Sequence, residues 1–315
     1  MSCFHPLTAF WRSVDRSSIT FDKNKSATKI PFALPCGRCI GCRMEKARQW
    51  GLRCLHEKKL WEHNQFVTLT YNDESMPPGG SVCLRDVQLF MKRLRKLKKS
   101  NKNNPIRFFL GAEYGEENRR PHYHALLFNC SFGDKKLFGR NGRGEAVYTS
   151  EELSSVWSID GLPMGFCTIG EVTFESAVYC AKYALKKLNV TDESSPEARQ
   201  AFEDRYVVYD IDGVVHQRAT EFAVMSRRPG IGMGYYEKYG AEVRAHDNVI
   251  VNGRPVRPPR YYDSKSDVVD PVGFAETKAR RKREGVLAKP DNTPDRLAVK
   301  EKLAEIAASK KEKKL

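Results

Sequence analysis

Apolar and polar positions alternate with period two over Gln65–Tyr71, the pattern of a strand with one buried face, and the run stops at Asn72-Asp73. Ahead of it, Gly41 to about Lys59 predicts a helix. Met44, Ala47, Cys54 and Leu55 recur there at helical spacing, with Arg43, Lys46, Arg48 and Arg53 interleaved. Pro77-Pro78-Gly79-Gly80 reads as a loop, and Asp86 is placed to cap a helix with Val87, Phe90, Leu94 and Leu97 as its buried stripe. The other face of that helix carries Lys92, Arg93, Arg95, Lys96, Lys98 and Lys99. Ile106–Tyr114 and His122–Phe128 read as strands joined through Gly115 to Arg120, hence a hairpin. The glycine-rich stretch from Phe132 to Gly144 reads as a mobile insertion. A short helix at Glu151–Trp157, a strand at Gly165–Val172 and a helix at Phe174–Leu188 follow. Farther on, hairpins turn at Asp212-Gly213 and at Asn252-Gly253.

This order predicts an α+β fold, an antiparallel sheet with flanking helices. Four segments are expected: a cysteine-bearing head at 1–64, a core at 65–190, an extension with hairpins at 191–263, and a basic tail at 264–315. The tail is rich in Lys, Arg, Glu and Ala, and reads as disordered or as a solvated helix.

Composition narrows the partners. The 315 residues are 40% hydrophobic and 30% charged, with a formal net charge of +15. Such a surface attracts a polyanion, so nucleic acid leads, salt-sensitive and indifferent to sequence along the basic faces. A membrane surface fits less well, because no segment reads as a basic amphipathic anchor. No apolar run is long enough to span a bilayer, and Met1-Ser2-Cys3-Phe4-His5-Pro6 lacks the look of a secretion signal. A soluble, cytosolic chain without a membrane partner is expected.

Three groups of residues carry candidate chemistry. In His122-Tyr123-His124, strand alternation puts both imidazoles on one face and Tyr123 on the other. Glu113, on the preceding strand, lies across the hairpin from them, with Glu116 and Glu117 as nearby competitors. A His-His-carboxylate set suits Mg²⁺, Mn²⁺ or Zn²⁺ and also describes non-haem iron sites. On the helix beginning at Phe174, the apolar stripe is Phe174, Ala177, Val178, Ala181, Leu185 and Leu188. Tyr179, Lys182, Tyr183 and Lys186 fall on a different face. Two phenols one turn apart beside lysines suit successive attack on phosphodiesters, helped by a metal that polarises the phosphate.

These residues resemble a known family. Phe66-Val67-Thr68-Leu69-Thr70-Tyr71, His122-Tyr123-His124 and Tyr179-x-x-Lys182-Tyr183 are similar to the three ordered motifs of the HUH endonucleases, in their two-tyrosine subgroup. Cys3-Phe4-His5-Pro6, the run Pro35-Cys36-Gly37-Arg38-Cys39-Ile40-Gly41-Cys42-Arg43 and Arg120-Pro121-His122-Tyr123-His124 resemble the replication initiators of gokushoviruses, small single-stranded DNA phages of the Microviridae. The resemblance implies a ferredoxin- or RRM-like nuclease core and a rolling-circle initiator that nicks and rejoins single-stranded DNA at an origin through a 5′-phosphotyrosine. It implies His122, His124 and Glu113 as ligands of Mg²⁺ or Mn²⁺, Tyr179 and Tyr183 as nucleophiles, and Lys182 as an aid at the phosphate. A viral origin, host helicase and host DNA polymerase are the implied partners, in the cytoplasm of a bacterial host.

Other features read less sharply. Cys36, Cys39 and Cys42, three of nine cysteines, are spaced to converge on zinc with Cys3, His5 or Cys54 as a fourth ligand, or are reduced thiols. Arg227-Arg228-Pro229-Gly230-Ile231-Gly232-Met233-Gly234 resembles a phosphate-contacting loop, without the residues of a nucleotide-binding P-loop. Trp11, Trp50 and Tyr71 can stack on bases or pack internally. The rival functions are a zinc-dependent, non-catalytic nucleic-acid-binding regulator and a non-haem iron enzyme.

Overall fold

The computed structural model describes residues 3–183 and 195–312. The chain divides into two compact units, one of residues 1–46 with 265–315, the other of residues 47–264.

In the first unit, β1 (Leu7–Trp11), β2 (Ile19–Thr20) and β3 (Pro31–Leu34) form an antiparallel sheet in the order β2-β1-β3. Trp11 stacks on Phe32 there, ring centroids 4.6 Å apart. Helix α1 (Ile40–Lys58) begins in this unit, and its residues from 47 onward belong to the second.

The second unit runs β4 (Asn64–Thr70), α2 (Leu84–Leu97), β5 (Arg107–Tyr114), β6 (Pro121–Phe128), β7 (Lys136–Arg140), β8 (Ala146–Thr149), α3 (Glu151–Val156), β9 (Ser158–Ile159), β10 (Leu162–Pro163), β11 (Cys167–Gly170) and α4 (Phe174–Tyr183). It continues with α5 (Pro196–Tyr206), β12 (Val207–Tyr209), β13 (Val215–Gln217), β14 (Ala223–Met225), α6 (Met233–His246), β15 (Val249–Val251) and β16 (Arg254–Val256). Helix α7 (Arg260–Val269) crosses the boundary, and α8 (Pro271–Leu287) and α9 (Pro294–Glu312) belong to the first unit. Of the two readings of the tail, the solvated helix is the one observed: α8 buries no residue, and Leu297 is the buried apolar side chain of α9. No helix of the described residues is long and apolar enough to cross a membrane.

The fold is α+β, as expected. Its centre is a seven-stranded antiparallel sheet in the order β14-β5-β6-β4-β11-β8-β7. Both faces of its middle strands are covered, which is why β5 and β6 are buried almost throughout instead of at alternate residues. On one face Val87, Phe90, Met91 and Leu94 of α2 pack with Leu69, Leu110, Tyr123 and Trp157. On the other, Ala47 and Cys54 of α1 and Ala177, Cys180 and Ala181 of α4 pack with Phe109, Leu126 and Phe128. Each large side chain so buried contributes about 1.5–3 kcal/mol.

Several expectations are corrected. Asp86 does not cap α2; Cys83 stands at the N-cap, and Asp86, in the first turn, accepts a hydrogen bond from Tyr71 Oη at 2.6 Å. Leu97 is 45% exposed, because the helix buries Met91 in its place. The lysine- and arginine-rich face is partly committed internally: Arg93 donates to the Val156 carbonyl at 3.0 Å and Lys98 pairs with Glu152 at 2.7 Å. The stretch from Phe132 to Gly144 carries a strand of the main sheet, where β7 pairs with β8 through an irregularity between Leu137 and Gly139. The edge strand β14 escaped the sequence reading, since three residues are too few to show a period.

Candidate functional site

Register builds the site. In the β5–β6 hairpin, Glu113 pairs with His122 and Gly111 with His124; in the β4–β6 pair, Thr70 faces His122 and Thr68 faces His124. Alternation puts the two imidazoles on one face. Tyr123 points to the opposite face, fully buried, where its hydroxyl accepts the Cys83 amide at 2.7 Å.

One nitrogen from each imidazole and one carboxylate oxygen lie within 4.8 Å of one another. His122 Nε2 is 2.5 Å from Glu113 Oε1, and His124 Nε2 is 3.4 Å from the same oxygen. The far side of each ring is held as well. His122 Nδ1 donates to the Arg120 carbonyl at 3.2 Å, and Thr68 Oγ1 is 3.1 Å from His124 Nδ1. A carbonyl only accepts, so Nδ1 of His122 carries a proton and the neutral ring turns its Nε2 lone pair toward a carboxylate. Two acceptors so close call for a proton or a cation between them.

Burial pulls the two kinds of group in opposite senses. It would raise the Glu113 carboxyl, yet the bonds from His122 and His124 hold that carboxyl below its usual range. Burial also lowers His124, which favours the neutral, ligating ring despite the nearby carboxylate. Glu113 Oε2 is buried without a hydrogen-bond partner among the described residues. An anionic carboxylate with an unused oxygen, facing two oriented imidazoles, fits a divalent cation. Glu116 and Glu117 lie on the exposed connecting turn, outside this cluster.

Helix α4 brings a phenol to the cluster. A Cβ on Gly111 would meet the Cys180 carbonyl oxygen at 2.8 Å, so the missing side chain lets α4 come down onto β5. The Cys180 thiol donates to the His124 carbonyl at 3.0 Å. Docked this way, Tyr179 stands edge-on to His124, ring centroids 5.0 Å apart and planes at 73°. Phe66 stacks nearly parallel to the same imidazole at 5.5 Å. Tyr179 and Lys182 are half-buried on the helix, while Ala177, Cys180 and Ala181 form its buried side. The backbone of Tyr183 closes α4; its side chain, with Lys186 and Leu188, lies outside the described residues. Thr68, Phe66, Gly111 and Cys180 were not singled out individually beforehand. A lone glycine inside a strand, the sign of close backbone approach, was the available signal for Gly111.

The cysteines of the first unit form a second cluster. The sulfurs of Cys3, Cys36, Cys39 and Cys42 lie within 4.8 Å of one another. His5 is directed elsewhere, its Nε2 2.6 Å from Glu301 Oε2, and Cys54 is buried in the core of the second unit. Burial raises the Cys3 thiol. Burial and the charge of Cys39 push Cys42 up to about 12. At Cys39 burial acts in the same sense, but the amides of Phe4 and Cys42 and the neighbouring thiols outweigh it and hold the group down to about 6.

The Arg227–Gly234 loop is not arranged as a phosphate cradle. The amide of Gly232, which such a cradle offers to an anion, already donates to Glu57 Oε2 at 2.7 Å. Arg53 and Arg107 clasp the carbonyls of Ile231 and Pro229, each at 2.9 Å. Tyr71 and Trp50 pack internally, Trp50 against Phe109 and the Arg53 guanidinium.

Comparison with known proteins places this geometry among relatives. Residues 64–188 match the family model of the replication-associated protein ORF2. The chain is 31% identical over 305 residues to replication-associated protein VP4 of Bdellovibrio phage phiMH2K, covering 94% of this chain and 87% of that protein. It is 30% identical over 256 residues to replication-associated protein ORF2 of Spiroplasma virus 4, covering 78% and 71%. Replication-associated protein ORF4 of Chlamydia phage 1 is 23% identical over 251 residues, covering 78% and 56%. No solved structure matches.

Proposed function

The chain belongs to the phage replication-associated proteins, the Microviridae-type rolling-circle replication initiators, and on that premise we propose that it nicks and rejoins single-stranded DNA through Tyr179. The observation that carries this reading is the phenol of Tyr179 set against His124, itself one of three side chains that could hold a cation.

Glu113, His122 and His124 would hold Mg²⁺ or Mn²⁺. Such an ion draws charge from the oxygens of a scissile phosphate. The Tyr179 oxygen attacks phosphorus; its bond to phosphorus forms, the bond to the 3′ oxygen breaks, and a 5′-phosphotyrosine and a free 3′ end result. The phenolic proton passes to solvent and the departing 3′ oxygen takes one up. A phenol titrates near 10, so at neutral pH it gives up that proton only with help from positive charge nearby. Lys182, one turn of helix from Tyr179, supplies such charge by our reading. Tyr183 would be the second nucleophile, attacking after a round of synthesis, and rejoining reverses the first step. Because the ester keeps the energy of the broken bond, joining needs no nucleotide.

In this account the free 3′ end is extended by a host DNA polymerase behind a host helicase, at a viral origin in the cytoplasm of the bacterial host. Affinity for the strand comes from the chain's +15 charge and falls with salt.

The test is covalent capture. Full-length protein with Mn²⁺ or Mg²⁺ and a single-stranded origin oligonucleotide should give an adduct stable to denaturant. Tyr179→Phe with Tyr183→Phe should abolish it, and His122→Ala with His124→Ala should do the same. DNA binding without any adduct in the intact protein would favour the zinc-dependent regulator and sink the nicking proposal. Oxygen consumption with iron in place of nicking would favour the non-haem iron enzyme.

A further inference from the structure

The first unit has a sheet and a helix start but little to hold them. In its residues 3–46, Ala9 and Phe10 are the buried apolar side chains besides the cysteines. A unit of that size with so small a core ordinarily depends on a cross-link or a metal.

The chain path supplies one. Antiparallel pairing of Leu7 with Leu34 and Thr8 with Ala33 brings the start of β1 beside the end of β3. Cys3 and Cys36 therefore meet, and the Cys36 amide donates to Cys3 Sγ at 3.2 Å. Gly37 follows with φ +76°, a left-handed turn that bends the chain back toward the same point. Cys39 precedes α1 and Cys42 lies in its first turn. The Cys39 amide donates to Cys36 Sγ at 3.3 Å and the Phe4 amide to Cys39 Sγ at 3.4 Å. Backbone amides aimed at sulfur stabilise thiolates over thiols.

The spacing of the sulfurs selects the occupant. Zinc–sulfur bonds of about 2.3 Å set the sulfurs of a tetrahedron about 3.8 Å apart. Cys36 Sγ and Cys42 Sγ are 4.0 Å apart, and all nine cysteines are unpaired by disulfides. A single ion fits this knot; an iron–sulfur cluster would spread its cysteine sulfurs farther. We infer that Cys3, Cys36, Cys39 and Cys42 bind one structural Zn²⁺ that ties β1, β3 and α1 of the first unit together. With four protein ligands the site is closed, so the ion holds structure and takes no substrate. This role is separate from the proposed nuclease ion.

The test is metal content of the full chain purified without chelator. We expect one zinc per chain, retained in a His122→Ala/His124→Ala variant and lost in Cys39→Ser and in Cys36→Ser. Cobalt loaded in place of zinc should give the visible bands of a tetrahedral site and a sulfur-to-cobalt charge-transfer band. That readout needs no variant to fold. Removing the ion should open residues 1–46 to protease, and Zn²⁺ but not Mg²⁺ should restore protection. Zinc content unchanged by the cysteine substitutions, one iron in its place, or cobalt spectra without sulfur ligation would each overturn the inference.

Discussion

Gly111 of β5 and Cys180 of α4 approach so closely that a Cβ at 111 would come within 2.8 Å of the Cys180 carbonyl oxygen. That oxygen is backbone, so it cannot swing aside. The whole helix must shift, and with it Tyr179, the next residue toward its N-terminus. Gly111→Ala should cost about 1–3 kcal/mol of stability. It should also reduce adduct formation well beyond any loss in metal binding. Denaturant unfolding and covalent capture measured together check this; full adduct yield from the alanine variant would mean that the close approach does not position the phenol.

Thr68 reaches the far nitrogen of His124, Oγ1 to Nδ1 at 3.1 Å. Such outer partners fix a ligating ring's orientation, and their removal typically costs about 10–100-fold in metal affinity. Thr68→Val keeps the shape and removes the hydroxyl. Mn²⁺ affinity measured by calorimetry should fall by that factor, and Thr68→Ser should recover most of it. Equal affinity in the valine variant counts against an oriented ligand set.

Glu57 and Arg107 form a buried ion pair at 2.5 Å, with the carboxylate also accepting from the Gly232 amide and from Trp61 Nε1. Removing one partner strands the other charge away from water. Glu57→Ala should destabilise the second unit by about 3–5 kcal/mol, with Glu57→Gln in between, since the amide oxygen can still accept. Urea denaturation gives the answer. A loss below about 1 kcal/mol would show that Arg107 finds water or another acceptor.

His56 is buried, stacked on Tyr235 at 3.8 Å, with Nδ1 2.8 Å from the Tyr262 hydroxyl and Nε2 without a partner among the described residues. Burial, aided by the charge of Lys59, lowers it from 6.5 to about 3. Between those values the unfolded chain takes a proton that the folded chain refuses. His56 therefore weakens folding as pH falls below 6.5, with a slope of at most about 1.4 kcal/mol per pH unit. Stability curves of the native protein and His56→Phe between about pH 6.5 and 4 should converge toward acid, the variant losing less. Parallel curves would remove His56 from the account.

Much of this protein was legible in one dimension because its signals are local. The His122-Tyr123-His124 alternation, the six-residue connection to Glu113, and the helical spacing that separates Tyr179 from Ala177 and Ala181 follow from periods of two and 3.6. Those periods hold wherever the chain folds into a strand or a helix. Tertiary structure decided what depends on partners distant in the chain. Thr68 behind His124 is set by the pairing of β4 with β6, and the seating of α4 on Gly111 by a backbone contact that no periodicity encodes. Cys3, rather than His5 or Cys54, joins the cysteine cluster because β1 and β3 pair antiparallel. Glu57 takes the Gly232 amide for the same kind of reason: a glycine-rich loop shows that an anion can approach, and only the fold says which one does.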